Sequence, residues 1–155
     1  MKLRSTCAAL LLATAIAACA TTPEPDAPPE PVTLSDEEFV PLRKAARSES
    51  TQPKREAALT ALIARDDLTD RQRAEAYYER GFLRGNYVRD DVWAYPQCSV
   101  VDYMKMEELA PDHPWVPNMQ KDREYQFSRF KYDTFNTAPQ ECKDAAAEAF
   151  NKVHS

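Results

Sequence analysis

Five prolines, Pro23, Pro25, Pro28, Pro29 and Pro31, fall within nine residues, and no large apolar side chain lies between Ala20 and Val32. A stretch like this has nothing with which to bury a core. It favours extended polyproline II, which at about 3.1 Å per residue reaches roughly 40 Å. It therefore divides the chain into residues 1–18, a tether at 19–34, and a folding body at 35–155. That body is large enough for one small domain and too small for two cores. The 155 residues carry 20 Lys+Arg against 25 Asp+Glu, a formal charge of -5, with no basic block. General nucleic-acid binding is excluded, because phosphate affinity needs clustered cations to displace counterions. With only 2 Gly, glycine-rich phosphate cradles are excluded too.

The body is punctuated as helices, and the expected class is all-α. Ser35-Asp36-Glu37-Glu38 spells a capping box that opens a helix from Asp36 to Arg47, interrupted or bent at Pro41. Pro53 suits the first turn of a second helix reaching Arg65, with Leu59, Leu62 and Ile63 on one face. Thr69-Asp70-Arg71-Gln72 is a second capping box, and Ala74, Tyr77, Tyr78, Gly81 and Phe82 then form one apolar stripe. Asn86 to Gln97 reads as a loop, and Cys98 to Ala110 as a fourth helix stopped by Pro111. From Trp115 to Phe135 the aromatic spacing fits either period, and we read helix. The alanine-rich stretch from Pro139 to Lys152 is a last helix.

At the N-terminus Lys2 and Arg4 precede an apolar run from Ala8 to Ala18, the layout of a secretory signal too short to span a bilayer. The run ends in Ile16-Ala17-Ala18-Cys19, which resembles the lipobox of bacterial lipoproteins. The resemblance implies that residues 1–18 are removed and that Cys19 is acylated, so that acyl chains hold the protein to a lipid bilayer. Ala20, rather than Asp, after that Cys implies the outer membrane of a Gram-negative cell, with the body facing the periplasm. Without Lys2 and Arg4, 18 basic side chains would stand against 25 acidic ones, a formal charge of -7. So acidic a body leaves the acyl chains as the membrane contact.

One unit of the body resembles a tetratricopeptide repeat: Ala74 to Gly81, then Val101 to Pro111, with Tyr77, Gly81, Leu109 and Pro111 in the signature places. The resemblance extends from Lys54 to Pro111. Its departures are an insertion of about six residues in the Asn86–Gln97 loop, Arg80 and Arg84 where the family prefers Leu and a large aromatic, and Met106 where it prefers Ala. The likeness implies a stack of antiparallel helical hairpins, with residues 35–153 holding three pairs. It also implies a partner groove faced by Glu75, Tyr78, Phe82 and Asn86.

Export to an oxidising compartment leaves Cys98 and Cys142 as an even pair besides Cys19, most simply a disulfide. His113 and His154 are the only histidines, which gives no basis for a metal site or a cofactor. Adjacent carboxylates at Asp90-Asp91 and Glu107-Glu108 point in different directions on a helix, so neither pair is a catalytic dyad. No nucleophile-elbow, zinc-helix or calcium-loop pattern occurs. The expectation is a lipid-anchored, non-enzymatic envelope protein that binds or assembles another envelope protein or peptide. A small structural or inhibitor-type lipoprotein with a plain helical bundle is the alternative, and an envelope hydrolase stands behind both. Mass spectrometry of the chain recovered from cell membranes should find residue 19 as the acylated first residue. The Cys19→Ser variant should keep residues 1–18 and carry no acyl mass, and an unmodified Cys19 in membranes would sink the lipobox reading.

Overall fold

In the computed structural model the described residues are 33–86, 95–129 and 138–155. Among them there are six helices and no strand: α1 (Asp36–Arg47), α2 (Gln52–Ile63), α3 (Asp70–Asn86), α4 (Pro96–Leu109), α5 (Val116–Arg129) and α6 (Gln140–His154). The body is all-α. Residues 1–32, with the signal segment, Cys19 and all five prolines of the tether, lie outside the described residues, as do Asp90-Asp91 and 130–135 of the Trp115–Phe135 stretch.

Both capping boxes form. Ser35 Oγ accepts the Glu38 N–H while the Glu38 carboxylate accepts the Ser35 N–H, and Thr69 and Gln72 exchange the same two bonds. The second box also fastens the first, because Gln72 Nε2 donates to the Leu34 carbonyl at 3.0 Å and to Asp36 Oδ1 at 2.8 Å. The Leu34 N–H in turn donates to the Asp67 carbonyl. The starts of α1 and α3 are thus tied side by side.

Two prolines behave differently from the sequence expectation. α1 is not interrupted at Pro41, which is exposed and lies inside the helix, where its missing N–H removes one bond of the ladder. α4 begins at Pro96 rather than Cys98, since proline suits a first turn whose N–H groups have no partner within the helix.

The core is built in layers that follow chain order. Phe39, Leu62, Ile63, Leu68 and Ala76 join α1, α2 and α3, and Ala46, Leu59 and Leu83 extend that contact. On its other side α3 supplies Ala74 to Tyr103, Met106, Ala110, Val116 and Met119. Val100 and Phe127 then meet Ala146 and Ala149 of α6. A disulfide between Cys98 and Cys142, with Cα atoms 4.9 Å apart, ties the start of α4 to the start of α6. Closing a loop of that sequence separation, 44 residues, stabilises the fold by about 4 kcal/mol in the chain-entropy model.

α3 and α4 form the tightest pair, and the two glycines account for it. A Cβ at Gly81 would lie 2.9 Å from the Tyr103 ring, and one at Gly85 would lie 2.6 Å from Ser99 Oγ and 2.7 Å from Gln126 Nε2. Ser99 and Gln126 are fully buried, so neither can swing away. Gly85→Ala should therefore destabilise by about 1–3 kcal/mol through overpacking, despite the better helix propensity of alanine. Urea denaturation checks this; an unchanged or raised midpoint would mean that α4 and α5 can retreat.

Candidate functional site

α1, α3 and the segment leading into α5 share one face, and side chains from all three meet on it. Arg43 on α1 is ion-paired with Glu75 on α3, and its guanidinium lies 5.8 Å from the Phe39 ring centre and 5.0 Å from that of Trp115. The second Glu75 oxygen lies 3.2 Å from Nε2 of His113, which is 3% exposed. The Trp115 backbone N–H donates to His113 Nδ1 at 3.1 Å, so Nδ1 holds the lone pair and Nε2 carries the proton it gives to Glu75. Both ring nitrogens are thereby engaged within the fold.

One turn along α3, the Tyr78 hydroxyl donates to Asp122 Oδ2 at 3.2 Å. Its ring packs against Trp115 and Tyr103, with centres 5.4 and 5.9 Å away. Burial first, and the Asp122 charge second, push the Tyr78 phenol up to about 12. Burial also raises the Asp122 carboxyl, against the pull of that hydrogen bond. Beside Tyr78, Glu79 is buried and pairs with Arg47 at 3.0 Å, and burial lifts its carboxyl above the usual range despite the cations of Arg47 and Arg43.

The four residues expected to face a groove thus have different fates. Glu75 is spent on Arg43 and His113, and Tyr78 is packed and bonded to Asp122. Asn86 is exposed and donates to the Phe82 carbonyl at 3.1 Å. Phe82 alone presents a large apolar surface, 45% exposed, at the edge of a cleft of about 120 Å³ lined with Arg47, Arg55, Leu59, Glu79 and Leu83.

A second charged cluster lies between α2, α3 and α4. Asp102, 1% exposed, accepts two bonds from Arg80, at 3.0 and 2.7 Å, and one from Arg84 at 3.1 Å. Arg84 continues to Glu56 at 2.8 Å, and Arg80 to the Thr60 hydroxyl. Burial pushes the Asp102 carboxyl up and the two guanidiniums pull it back; Arg80, raised by its bonds to Asp102 against its own burial, stays charged. Sequence reasoning missed this cluster, though it left a signal: an aspartate inside the apolar run Val100 to Met104, facing two arginines spaced i, i+4.

Among the described residues no group of three or more His, Cys, Asp or Glu side chains is placed to hold a metal ion, and no helix is long and apolar enough to cross a membrane. Searches against protein-family models, curated proteins and solved structures find no match to the chain.

The Tyr78 environment has a measurable consequence. The unfolded phenol loses its proton near 10 and the folded one near 12, so the unfolded state sheds protons first and stability falls as pH rises between those values. Tyr78→Phe should flatten part of that fall, leaving the part due to buried Tyr103, whose hydroxyl is raised in the same direction. Thermal midpoints with tyrosinate absorbance across the alkaline range test it, and an identical slope in the variant would refute the assignment.

Proposed function

We propose that this chain is a lipid-anchored envelope protein, held at the outer membrane by acylated Cys19. Its helical body would act as a tetratricopeptide-like binding or assembly module for another envelope protein, without chemistry of its own. One observation carries this reading. Helices consecutive in the chain pack as neighbours, α1 with α2 and α3 with α4, and successive clusters of core follow chain order, although α6 packs on α4 rather than forming a third hairpin with α5. Helix pairs layered in this way are what a repeat stack requires, and they leave α1, α3 and the start of α5 with a shared face. The positions at which the chain departs from the repeat pattern, Arg80 and Arg84, have a structural employment in holding Asp102. The shared face is charged and pinned, with Phe82 as its exposed anchor. Such a surface suits protein recognition, in which a few aromatic anchors carry the affinity and the charged surround sets specificity.

Cross-linking in whole cells, purification of the full-length chain from outer membranes and mass spectrometry of what accompanies it provide the test. One or two envelope proteins in stoichiometric amount are expected with the wild type and should be lost with Phe82→Ser, at a position exposed enough to leave the fold intact. A clean monomer, or capture that ignores Phe82, would overturn the reading. Tyr78→Ala is the poorer probe, because removing a ring packed on Trp115 and Tyr103 would lower stability as well.

A further inference from the structure

The Cys98–Cys142 disulfide is not closed into the core. Both cysteines line a cleft of about 520 Å³, and while Cys98 is 3% exposed, Cys142 is partly open to solvent. A thiolate arriving through the cleft therefore meets the Cys142 sulfur first. Each cysteine is the third residue of its helix, so both sulfurs belong to first turns, whose N–H groups have no partner within the helix. The two helix starts differ, however. That of α4 has neither a side-chain cap nor an acidic residue, whereas Glu141 stands in the first turn of α6. A thiolate is thus better accommodated at Cys98 than at Cys142. The other charges of the cleft balance, with Arg80, Arg84 and Lys105 against Glu56, Asp102 and Glu141, so the difference needs no free cation.

Apart from this bond, α6 is lightly held. Its buried side chains are Ala146 and Ala149, which pack on Val100 and Phe127. Its larger apolar residues, Phe150 and Val153, remain 39% and 36% exposed. Phe150 and His154 touch the Phe127 ring, with centres 5.3 and 5.4 Å away. Two alanines remove little apolar area from water, so much of the attachment falls to the covalent tie.

We propose that the Cys98–Cys142 disulfide is a thiol–disulfide exchange site, reduced in the folded protein by a dithiol, and that its reduction releases α6. The inference goes beyond the binding-module reading and does not rest on it. One thiolate of the dithiol attacks Cys142 Sγ and forms a mixed disulfide, while the Cys98–Cys142 bond breaks and its electron pair leaves on Cys98 Sγ at the start of α4. A leaving thiolate that is stabilised in this way departs faster. The second thiolate of the dithiol then attacks the mixed disulfide and expels Cys142, so that two electrons have passed to the protein and the dithiol departs as a disulfide. The chain has no Cys-x-x-Cys pair of its own, which makes it the substrate of such exchange and not the reductant. With the bond open, α6 separates from α4, and Val100 and Phe127 lose their cover.

The test uses the purified full-length chain in detergent, without denaturant. Dithiothreitol is the reducing probe, and alkylation with peptide mapping reads Cys98 and Cys142 separately. The reduction rate should rise in proportion to dithiothreitol over about 0.1–10 mM, and should not follow the unfolding curve when urea is added below its midpoint. A rate that levels off with reductant, or that tracks unfolding in urea, would show that the bond is reached only in the unfolded chain and would overturn the proposal. Glutathione, a single thiol, should leave its first adduct on Cys142; an adduct on Cys98 overturns the stated order of attack. Hydrogen exchange then reads the release of α6. In the reduced wild type the amides of α6 should exchange at least about tenfold faster while those of α1 to α3 keep their protection. The Cys98→Ser/Cys142→Ser double variant should show the same pattern without any reductant. Unchanged protection of α6 in the reduced wild type, or an equal loss in every helix, would refute the release.

Discussion

The structure hangs on the close approach of α3 and α4 at Gly81 and Gly85. These are the chain's only glycines, and at a spacing of four residues they sit on one face of α3. With no Cβ in the way, Ser99 comes near enough for its hydroxyl to donate to the Gly81 carbonyl at 2.7 Å, and the Tyr103 ring lies directly against α3. Gln126 enters the same gap from α5. The carbonyl end of α3 is finished by its neighbours, with the Tyr95 N–H donating to the Arg84 carbonyl and Arg129 of α5 to that of Gly85. One helix terminus thus anchors both the start of α4 and the end of α5.

That approach also determines where the charges go. Drawn against α3, α4 brings Asp102 under Arg80 and Arg84, and the resulting three-centre cluster reaches α2 through Glu56 and Thr60. Burying a carboxylate this deeply is costly unless its lone pairs are filled, and three guanidinium bonds fill them. The cluster therefore contributes orientation more than net stability: any register that separated Asp102 from both arginines would strand buried charge. Large side chains at 80 and 84 would secure the same contact by apolar packing. Here ion pairs secure it, which leaves those positions uninformative to a search for apolar repeats.

The parts of the fold written in local chemistry were legible in the sequence, and those that depend on tertiary partners were not. Ser35 with Glu38, and Thr69 with Gln72, mark helix starts because the two residues of each box satisfy each other within one turn. Pro41 shows the limit of such local signals, since the sequence allowed an interruption there and the helix continues through it. The groove positions showed the limit most clearly. The repeat likeness alone implied that Glu75, Tyr78, Phe82 and Asn86 face a groove, and which of them are occupied within the fold depends on Arg43, His113 and Asp122, remote in the sequence. The role of His113 was beyond sequence reasoning altogether, since it follows from a backbone N–H at Trp115 that occupies the second ring nitrogen.

On the proposed binding-module reading, the pinning of this face is what would suit it to recognition. Arg43, Glu75 and His113 link α1, α3 and the approach to α5 in one chain of contacts, and Tyr78 with Asp122 adds a second link to α5. Side chains already held in place lose little freedom when a partner arrives, so the ordering cost of about 0.5–1.5 kcal/mol for each mobile side chain is largely met during folding. Most of its polar groups are already paired, however, which leaves such a surface little with which to discriminate. Discrimination must then come from the groups that remain incomplete: the exposed ring of Phe82 and the outward donors of Arg47. They line the same cleft, so on that reading affinity and specificity would be concentrated at one point of this face.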